Sequence, residues 1–316
     1  MLDTKSTLLF VLSLAIKPIQ GHGGVYNYTI DGVEYAGHYP WLPEEGQISV
    51  QRRWFPDPIF TEQHPYLACN RGNPLATSLP TLHAPARAGT NIIARYVPPQ
   101  CPKSGTYSPP TQPAVPEYQD PSPMKCTGPE FPWSHNQGPL FVWGHEYLMK
   151  LILMLAIRLQ QVYMADCQGP CNEWDGHGKR WFKIWEAGYN ATGVTGSKDP
   201  GQMKSITEPD RWWHATITQS GINVTIPRTL KPGNYLIRHE IINLRSNPAQ
   251  LYPECAQLEV IGDGGSVPSE EYLVEFPGAY KATDPGLAIS GKLYEQVGLS
   301  TFNYTMPGPK VWVPEE

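Results

Sequence analysis

The stretch GINVTIPRTLKPGNYLIRHEIINL, at residues 221–244, decides the fold class. Its turn residues, LKPGN, separate two short runs in which apolar side chains recur at every second position. In the second run His239 shares one face with Ile237 and Ile241, because successive side chains of a strand point to opposite sides. CAQLEVIG at 255–262 alternates in the same way. We therefore predict an all-β fold, an immunoglobulin- or fibronectin-like antiparallel β-sandwich with long loops and short helices.

The composition of the 316 residues supports short strands and narrows the class of partner. Glycine and proline are abundant, at 29 and 34 residues, and charged side chains make up only 17%. This mixture favours turns over long surface helices. The formal net charge is −5, with no long run of either sign. Such a surface suits a neutral polymer or a small molecule, and we predict no nucleic-acid partner.

Residues 1–21 are typical of a secretory signal peptide. Their apolar centre, LLFVLSLAI, follows Lys5 and is too short to span a membrane, so no membrane association is predicted. We expect cleavage after Gly21, a secreted extracellular protein, and a mature chain that starts at His22. The even set of six cysteines fits an oxidising compartment. The Asn-X-Thr sequons are candidate glycosylation sites: Asn27, Asn190, Asn223 and Asn303.

Two segments of the predicted single domain, residues 22–316, depart from the strand pattern. Residues 97–132 are rich in Pro and Ser and are predicted to be a long loop that holds Cys101 and Cys126. WGHEYLMKLILMLAIRLQQV, at 143–162, has helix-forming residues and an apolar centre, which favours a buried or interfacial helix. No Ser/Thr-rich linker or small Cys-rich module follows the strands, so we predict no carbohydrate-binding appendage.

Motifs for ordinary hydrolytic or phosphate chemistry are absent from the sequence: it has no G-x-S-x-G, no H-E-x-x-H and no phosphate loop. The residues that could instead form a functional site are two histidines, a tyrosine and a glutamine. His135 stands at a Gly-Pro turn and His239 in a predicted strand. Gln250 and Tyr252 are two residues apart and point the same way from an extended segment. Together these side chains suit a metal site, whereas each alone is compatible with a packed residue.

Eight pieces of the sequence, in their order, resemble the fungal lytic polysaccharide monooxygenases of Auxiliary Activity family 9. They are HGGVYNYTIDG at 22–32, CN at 69–70, SHNQGP at 134–139, YMADC at 163–167, WFKIWEAGY at 181–189, IRHEIINL at 237–244, AQLYPECAQLEVIG at 249–262 and FPGAYKATDPG at 276–286. These pieces cover nearly the whole chain after the predicted signal. Each is weak alone, and the ordered set with histidine first carries the resemblance.

The resemblance implies a copper enzyme with one copper ion per chain. His22 would supply its α-amine and a ring nitrogen, His135 a third nitrogen, and Tyr252 a distant axial oxygen. Gln250 and His239 would form the neighbouring pair that positions an oxygen species by hydrogen bonding. The implied catalytic residues are therefore His239, Gln250 and Tyr252.

The implied reaction is oxidative cleavage of β-1,4-glucan, such as cellulose, at C1 and/or C4. It uses O2 or H2O2 and an external electron donor, either a small reductant or a redox protein, and the enzyme is expected to be a monomer. Tyr28 and Tyr294 are candidates for stacking on sugar rings, or else ordinary packed tyrosines. A non-catalytic copper-binding or wall-binding protein on the same fold is the alternative. No carboxylate pair in a motif supports a glycoside hydrolase.

Disulfide pairing also follows from the resemblance, since the residues alone leave other pairings open. The implied bridges are Cys69–Cys255, Cys167–Cys171 and Cys101–Cys126. The close spacing of the second pair resembles some metal sites, but a small local disulfide is favoured because no further Cys or His pair follows it.

The sequence departs from the family pattern between Val142 and Tyr163. Deleting residues 143–162 restores the family-like string SHNQGPLFVYMADC. Either these residues are a translated intron, or a real helical insertion stands close to His135. Arg245 stands where the family often has a second histidine, and no role is assigned to it.

Overall fold

The computed structural model describes residues 23–40, 42, 44–97, 158–188, 221–244, 247–290 and 304–314. The strands are β1 (Gly24–Ile30), β2 (Val33–Ala36), β3 (Ala84–Arg87), β4 (Asn91–Val97), β5 (Arg158–Asp166), β6 (Trp181–Ala187), β7 (Ile222–Thr225), β8 (Gly233–Asn243) and β9 (Gln250–Ile261). Helical structure within these ranges is confined to two 3-10 turns, Asn73–Leu75 and Cys171–Glu173, and the short helix α1, Pro285–Ala288. None of these is long and apolar enough to cross a bilayer.

The strands form two sheets, which confirms the predicted all-β sandwich. One sheet has the order β2-β1-β4-β7 and the other the order β3-β9-β8-β5-β6. Pairing is antiparallel except between β3 and β9. The LKPGN turn carries the chain from one sheet to the other, because β7 pairs with β4 whereas β8 pairs with β5 and β9.

Both faces of β8 are buried. Ile237 and Ile241 belong to the apolar cluster that also contains Tyr252 and residues of both sheets, so this is the inward face that the alternation predicts. Leu236 and Ile242 point the opposite way, into a second apolar cluster built partly from loops. Because both faces of β8 are covered, its polar side chains are buried as well, among them Arg238, His239 and Glu240.

Strand β5 begins inside the segment 143–162 that the sequence predicts to be a helix. Residues 158–162 pair with β8 on one side, and Leu159 and Val162 are fully buried. These five positions belong to β5, so the predicted helix over 143–162 is wrong for them. A short apolar run of a doubly buried strand cannot be told from a helical segment by periodicity alone. Residues 143–157 lie outside the described residues.

Two of the three predicted disulfides are confirmed. Cys69 is bonded to Cys255 with a Cα–Cα distance of 5.2 Å, and Cys167 to Cys171 with a distance of 5.1 Å. The first ties the loop before β3 to the middle of β9, and so anchors the strand that carries Tyr252. The third predicted pair lies outside the described residues.

Candidate metal centre

The end of β8 and the start of β9 bring two of the predicted site residues together. The Tyr252 hydroxyl donates a hydrogen bond to Oε1 of Gln250 at 3.1 Å. Asn243, which faces Gln250 across the ladder, donates from Nδ2 to the same oxygen at 2.8 Å. Tyr252 is buried and Gln250 is partly exposed. Because both donors converge on Oε1, the carboxamide of Gln250 is held in one orientation, with its NH2 group directed elsewhere.

His239 does not belong to this cluster, which corrects its predicted role. It lies on the same face of β8 as Asn243 but four residues earlier, about 13 Å along the strand. Its ring is fully buried, with its centroid 5.7 Å from that of Tyr28, and neither ring nitrogen has a hydrogen-bond partner among the described residues. Burial lowers the pKa of His239 to about 3, so the ring is neutral. The alternation of side chains predicted which face of β8 carries His239, but not how far His239 lies from the end of that strand.

Tyr28 is packed between the sheets and cannot stack on a sugar, so its predicted substrate role is wrong. It is 0% exposed and belongs to the inner apolar cluster. Burial raises the pKa of its hydroxyl well above the usual value. The physical reason is that alternate side chains of β1 face the opposite sheet, and Tyr28 is one of them. Tyr294, His22 and His135 lie outside the described residues.

Glu254 is a buried carboxylic acid beside this region that the sequence analysis missed. It follows Tyr252 on the same face of β9 and faces His239 across the ladder. Its Oε2 accepts hydrogen bonds from the Val25 backbone N–H at 2.8 Å and from Nε2 of Gln51 at 2.7 Å. Burial raises the pKa of Glu254 well above its usual range, against the opposing effect of these two hydrogen bonds. A signal was available, since the alternation that turns Tyr252 inward does the same for Glu254.

The opposite face of β8 carries a second buried polar group, an ion pair. Arg238 donates from its two terminal nitrogens to the carboxylate of Glu240 at 2.9 and 2.7 Å, and both residues are fully buried. The Tyr280 hydroxyl donates to the same carboxylate at 2.6 Å. Because this network points away from Gln250 and Tyr252, it supports the second sheet rather than the candidate site.

The described donors fit one part of a copper site. Tyr252 offers a phenol oxygen and Gln250 an amide, and such groups would be weak donors to copper beside stronger nitrogen ligands. Among the described residues there is no group of three or more His, Cys, Asp or Glu side chains that could hold a metal ion. Strong nitrogen ligands would therefore have to come from other positions, and the predicted ligands His22 and His135 are such positions.

Comparison with known proteins places this chain among the relatives of one family. The sequence model of Auxiliary Activity family 9 (formerly GH61) matches residues 159–301. An AA9 family lytic polysaccharide monooxygenase-like protein of Agaricus bisporus is 31% identical over 97% of this chain and 75% of its own length. AA9 family lytic polysaccharide monooxygenase B of Heterobasidion irregulare is 30% identical over 96% of this chain and 97% of its own.

Solved structures agree with the sequence comparison. The crystal structure of a cellulose-active polysaccharide monooxygenase from M. thermophila is 28% identical and superimposes with a TM-score of 0.62, covering 93% of this chain and 100% of that one. The family match begins at Leu159, inside the segment that the sequence pattern marks as foreign, and it contains Gln250 and Tyr252. The match therefore agrees with the assignment of β5 to the sandwich.

Proposed function

The chain belongs to Auxiliary Activity family 9, and we propose that it is a secreted, monomeric enzyme that cleaves β-1,4-glucan, such as cellulose, at C1 and/or C4. Membership makes it a copper-dependent polysaccharide monooxygenase. The proposed oxidant is O2 or H2O2, and the proposed electron donor is a small reductant or a redox protein. The observation that carries the proposal is the hydrogen-bonded pair of Gln250 and Tyr252 at the start of β9.

The proposed copper ligands are His22, through its α-amine and one ring nitrogen, His135 through a ring nitrogen, and Tyr252 through its phenol oxygen. Copper, when bound, supplies the one-electron and oxygen chemistry. The Tyr252 hydroxyl donates its proton to Oε1 of Gln250, and its oxygen would be the atom that contacts a metal. A phenol oxygen would be a weaker ligand than the histidine nitrogens, so Tyr252 would complete the site rather than hold the copper by itself.

Gln250 is proposed to orient the oxygen reactant. Its Oε1 already accepts hydrogen bonds from Asn243 and Tyr252, so the amide protons on Nε2 are the groups that remain for a reactant. A donor fixed in direction by its neighbours needs little reorganisation when the reaction occurs. His239 has no part in this step, because it lies buried about 13 Å away along the strand.

Cellulose is favoured as the substrate because the M. thermophila relative is described as cellulose-active. A neutral glucan also fits the low content of charged residues in this chain. With Tyr28 buried, Tyr294 is the remaining proposed stacking residue.

The proposal is tested with the full secreted chain. Mass spectrometry of the purified protein is expected to find His22 at the N-terminus. Any other N-terminal residue would remove the proposed amine ligand and contradict the proposal. The protein is then loaded with one equivalent of Cu(II) and incubated with swollen cellulose, with and without ascorbate. Oxidised oligosaccharides that require both copper and ascorbate support the proposal, and their oxidised end distinguishes C1 from C4 cleavage. Copper binding without such products indicates a binding protein, and plain reducing sugars without ascorbate indicate a hydrolase.

A variant separates the role of Gln250 from general damage to the sheet. Gln250→Ala removes the oriented amide, and we expect the rate of oxidised-product formation to fall about 100-fold. Asn91→Ala removes an exposed amide from β4 in the other sheet and serves as the matched control. A loss of similar size in both variants would contradict a specific role for Gln250.

The boundary of the foreign segment is also open to a direct test. We propose that any intron or insertion ends at or before residue 157, because residues 158–162 form part of β5. Sequencing of abundant mature transcripts is expected to find the codons for 158–162 in every one, whether or not those for 143–157 are present. A functional enzyme made from a transcript without 158–162 would contradict the assignment.

A further inference from the structure

We propose that Glu254 is a positioning residue that holds the N-terminal strand against β9, and that it thereby fixes a metal-binding N-terminus relative to Tyr252. This inference rests on the proposed function. If the first residue of the mature chain binds the metal, its position relative to Tyr252 has to be held constant, and Glu254 would hold it. Glu254 lies in neither the proposed ligand set nor the oxygen-orienting pair.

One oxygen of Glu254 joins two segments that are far apart in sequence. Its Oε2 accepts the Val25 backbone N–H at 2.8 Å and the side-chain amide of Gln51 at 2.7 Å. Gln51 in turn accepts the backbone N–H of His38 through Oε1 at 2.6 Å. The carboxyl group is fully buried, and both of its donors are uncharged. Burying a carboxyl group costs free energy. Its hydrogen bonds, however, hold the donor groups in defined positions, which an apolar side chain could not do.

The backbone of β1 also approaches this group closely at Gly24. A Cβ atom at position 24 would meet Oε1 of Glu254 and would lie 2.5 Å from the Trp54 ring. The Trp54 ring is itself held by a hydrogen bond from Nε1 to the His38 carbonyl at 2.8 Å. The absence of a side chain at Gly24 therefore lets the strand lie between an indole and a carboxyl group. We call Gly24, Val25, His38, Gln51, Trp54 and Glu254 the Glu254 clamp.

Short distances connect the Glu254 clamp to both halves of the proposed site. Glu254 and Tyr252 are two residues apart on one face of β9, about 7 Å. A ligand at position 22 is two residues from Gly24, which is a reach of at most about 7 Å. The Glu254 clamp therefore contacts both β1, next to position 22, and β9, the strand that carries Tyr252.

The test measures Cu(II) binding to the apo form of the full secreted chain by titration calorimetry, together with hydrogen exchange of the Val25 amide. Glu254→Ala is expected to weaken the Kd for Cu(II) by about 10- to 100-fold, the range typical when groups supporting metal ligands are removed. It should also speed exchange at Val25. Glu254→Gln keeps an oxygen acceptor and is expected to retain most of the affinity. Gly24→Ala leaves every hydrogen-bonding group in place but displaces the strand, so it should weaken copper binding even if Glu254→Ala fails to fold.

The matched control is Glu240→Gln, which alters an equally buried acid on the neighbouring strand that points to the opposite face. It is expected to lower stability without changing the Kd for Cu(II). If wild type binds Cu(II) and both Glu254→Ala and Gly24→Ala bind it within twofold of wild type, the positioning role is wrong while the proposed function stands. If wild type with His22 at its start does not bind Cu(II), the proposed function fails and the positioning role with it.

Discussion

Replacing His239 with leucine separates the role of a core residue from that of an oxygen-positioning residue. The imidazole is fully buried, and neither ring nitrogen has a partner among the described residues. Its removal therefore leaves no hydrogen-bonding group stranded on a described neighbour, which is the usual source of a large loss. We expect His239→Leu to fold, to bind copper as wild type does and to oxidise glucan at the wild-type rate at neutral pH.

The magnitude of the effect appears in the pH dependence of stability. Burial lowers the pKa of His239 to about 3 from its ordinary 6.5. Between these values the unfolded chain binds a proton that the folded chain does not, so the free energy of unfolding falls as the pH drops from 6.5 toward 3. At pH 4.5, two pH units below the ordinary value, the loss is about 3 kcal/mol, and well above pH 6.5 it vanishes. Glu254, across the ladder, has a pKa shifted upward and so contributes with the opposite sign, but it is present in both proteins.

The assay is urea unfolding of wild type and His239→Leu at pH 7.5 and pH 4.5, followed by tryptophan fluorescence. Wild type should lose about 3 kcal/mol more than the variant between the two pH values. His177→Leu alters an exposed histidine and is the matched control, for which no such difference is expected. A difference below about 1 kcal/mol would refute the buried neutral ring. Loss of glucan oxidation with unchanged copper affinity would return His239 to the oxygen-positioning role.

Three further predictions follow from the same contacts. Arg238→Met leaves the carboxylate of Glu240 buried without its ion-pair partner, so the free energy of unfolding should fall by about 3–5 kcal/mol; a loss below about 1 kcal/mol in urea unfolding would show that the pair is dispensable. Asn223 is exposed on the edge strand β7, whereas Asn27 lies on β1 between two paired strands and accepts a hydrogen bond from Arg95 at 3.3 Å. Peptide mass spectrometry after enzymatic deglycosylation should therefore find a glycan at Asn223 and none at Asn27, and the reverse pattern would contradict this. Copper at 100 times its Kd should stabilise the fold by about 2.7 kcal/mol, and chelation should reverse this in calorimetry.

The alternation of apolar residues was enough to predict several strands and the side of each that faces the core. Alternation in 235–242 is a local property of an extended backbone, so it predicted the inward face that holds Ile237 and Ile241. The same rule placed Gln250 and Tyr252 side by side, and the structure joins them by a hydrogen bond. The disulfide partners, by contrast, came from the family resemblance, because spacing alone does not choose among pairings.

The segments that cover each face of a strand, and the distance of each residue from the end of its sheet, could be read only from the folded chain. His239 and Gln250 belong to one face of the second sheet, but His239 pairs with Glu254 and Gln250 pairs with Asn243, so they lie apart along the strands. Tyr28 is buried in the apolar cluster between the two sheets. Glu254 meets Val25 across 229 positions of sequence. Burial and hydrogen bonding here come from contacts between segments that are distant in sequence. The periodicity of apolar residues within one strand does not predict which distant segment will pack against it. The proposed copper ligands are spread in the same way, over positions 22, 135 and 252 of the sequence.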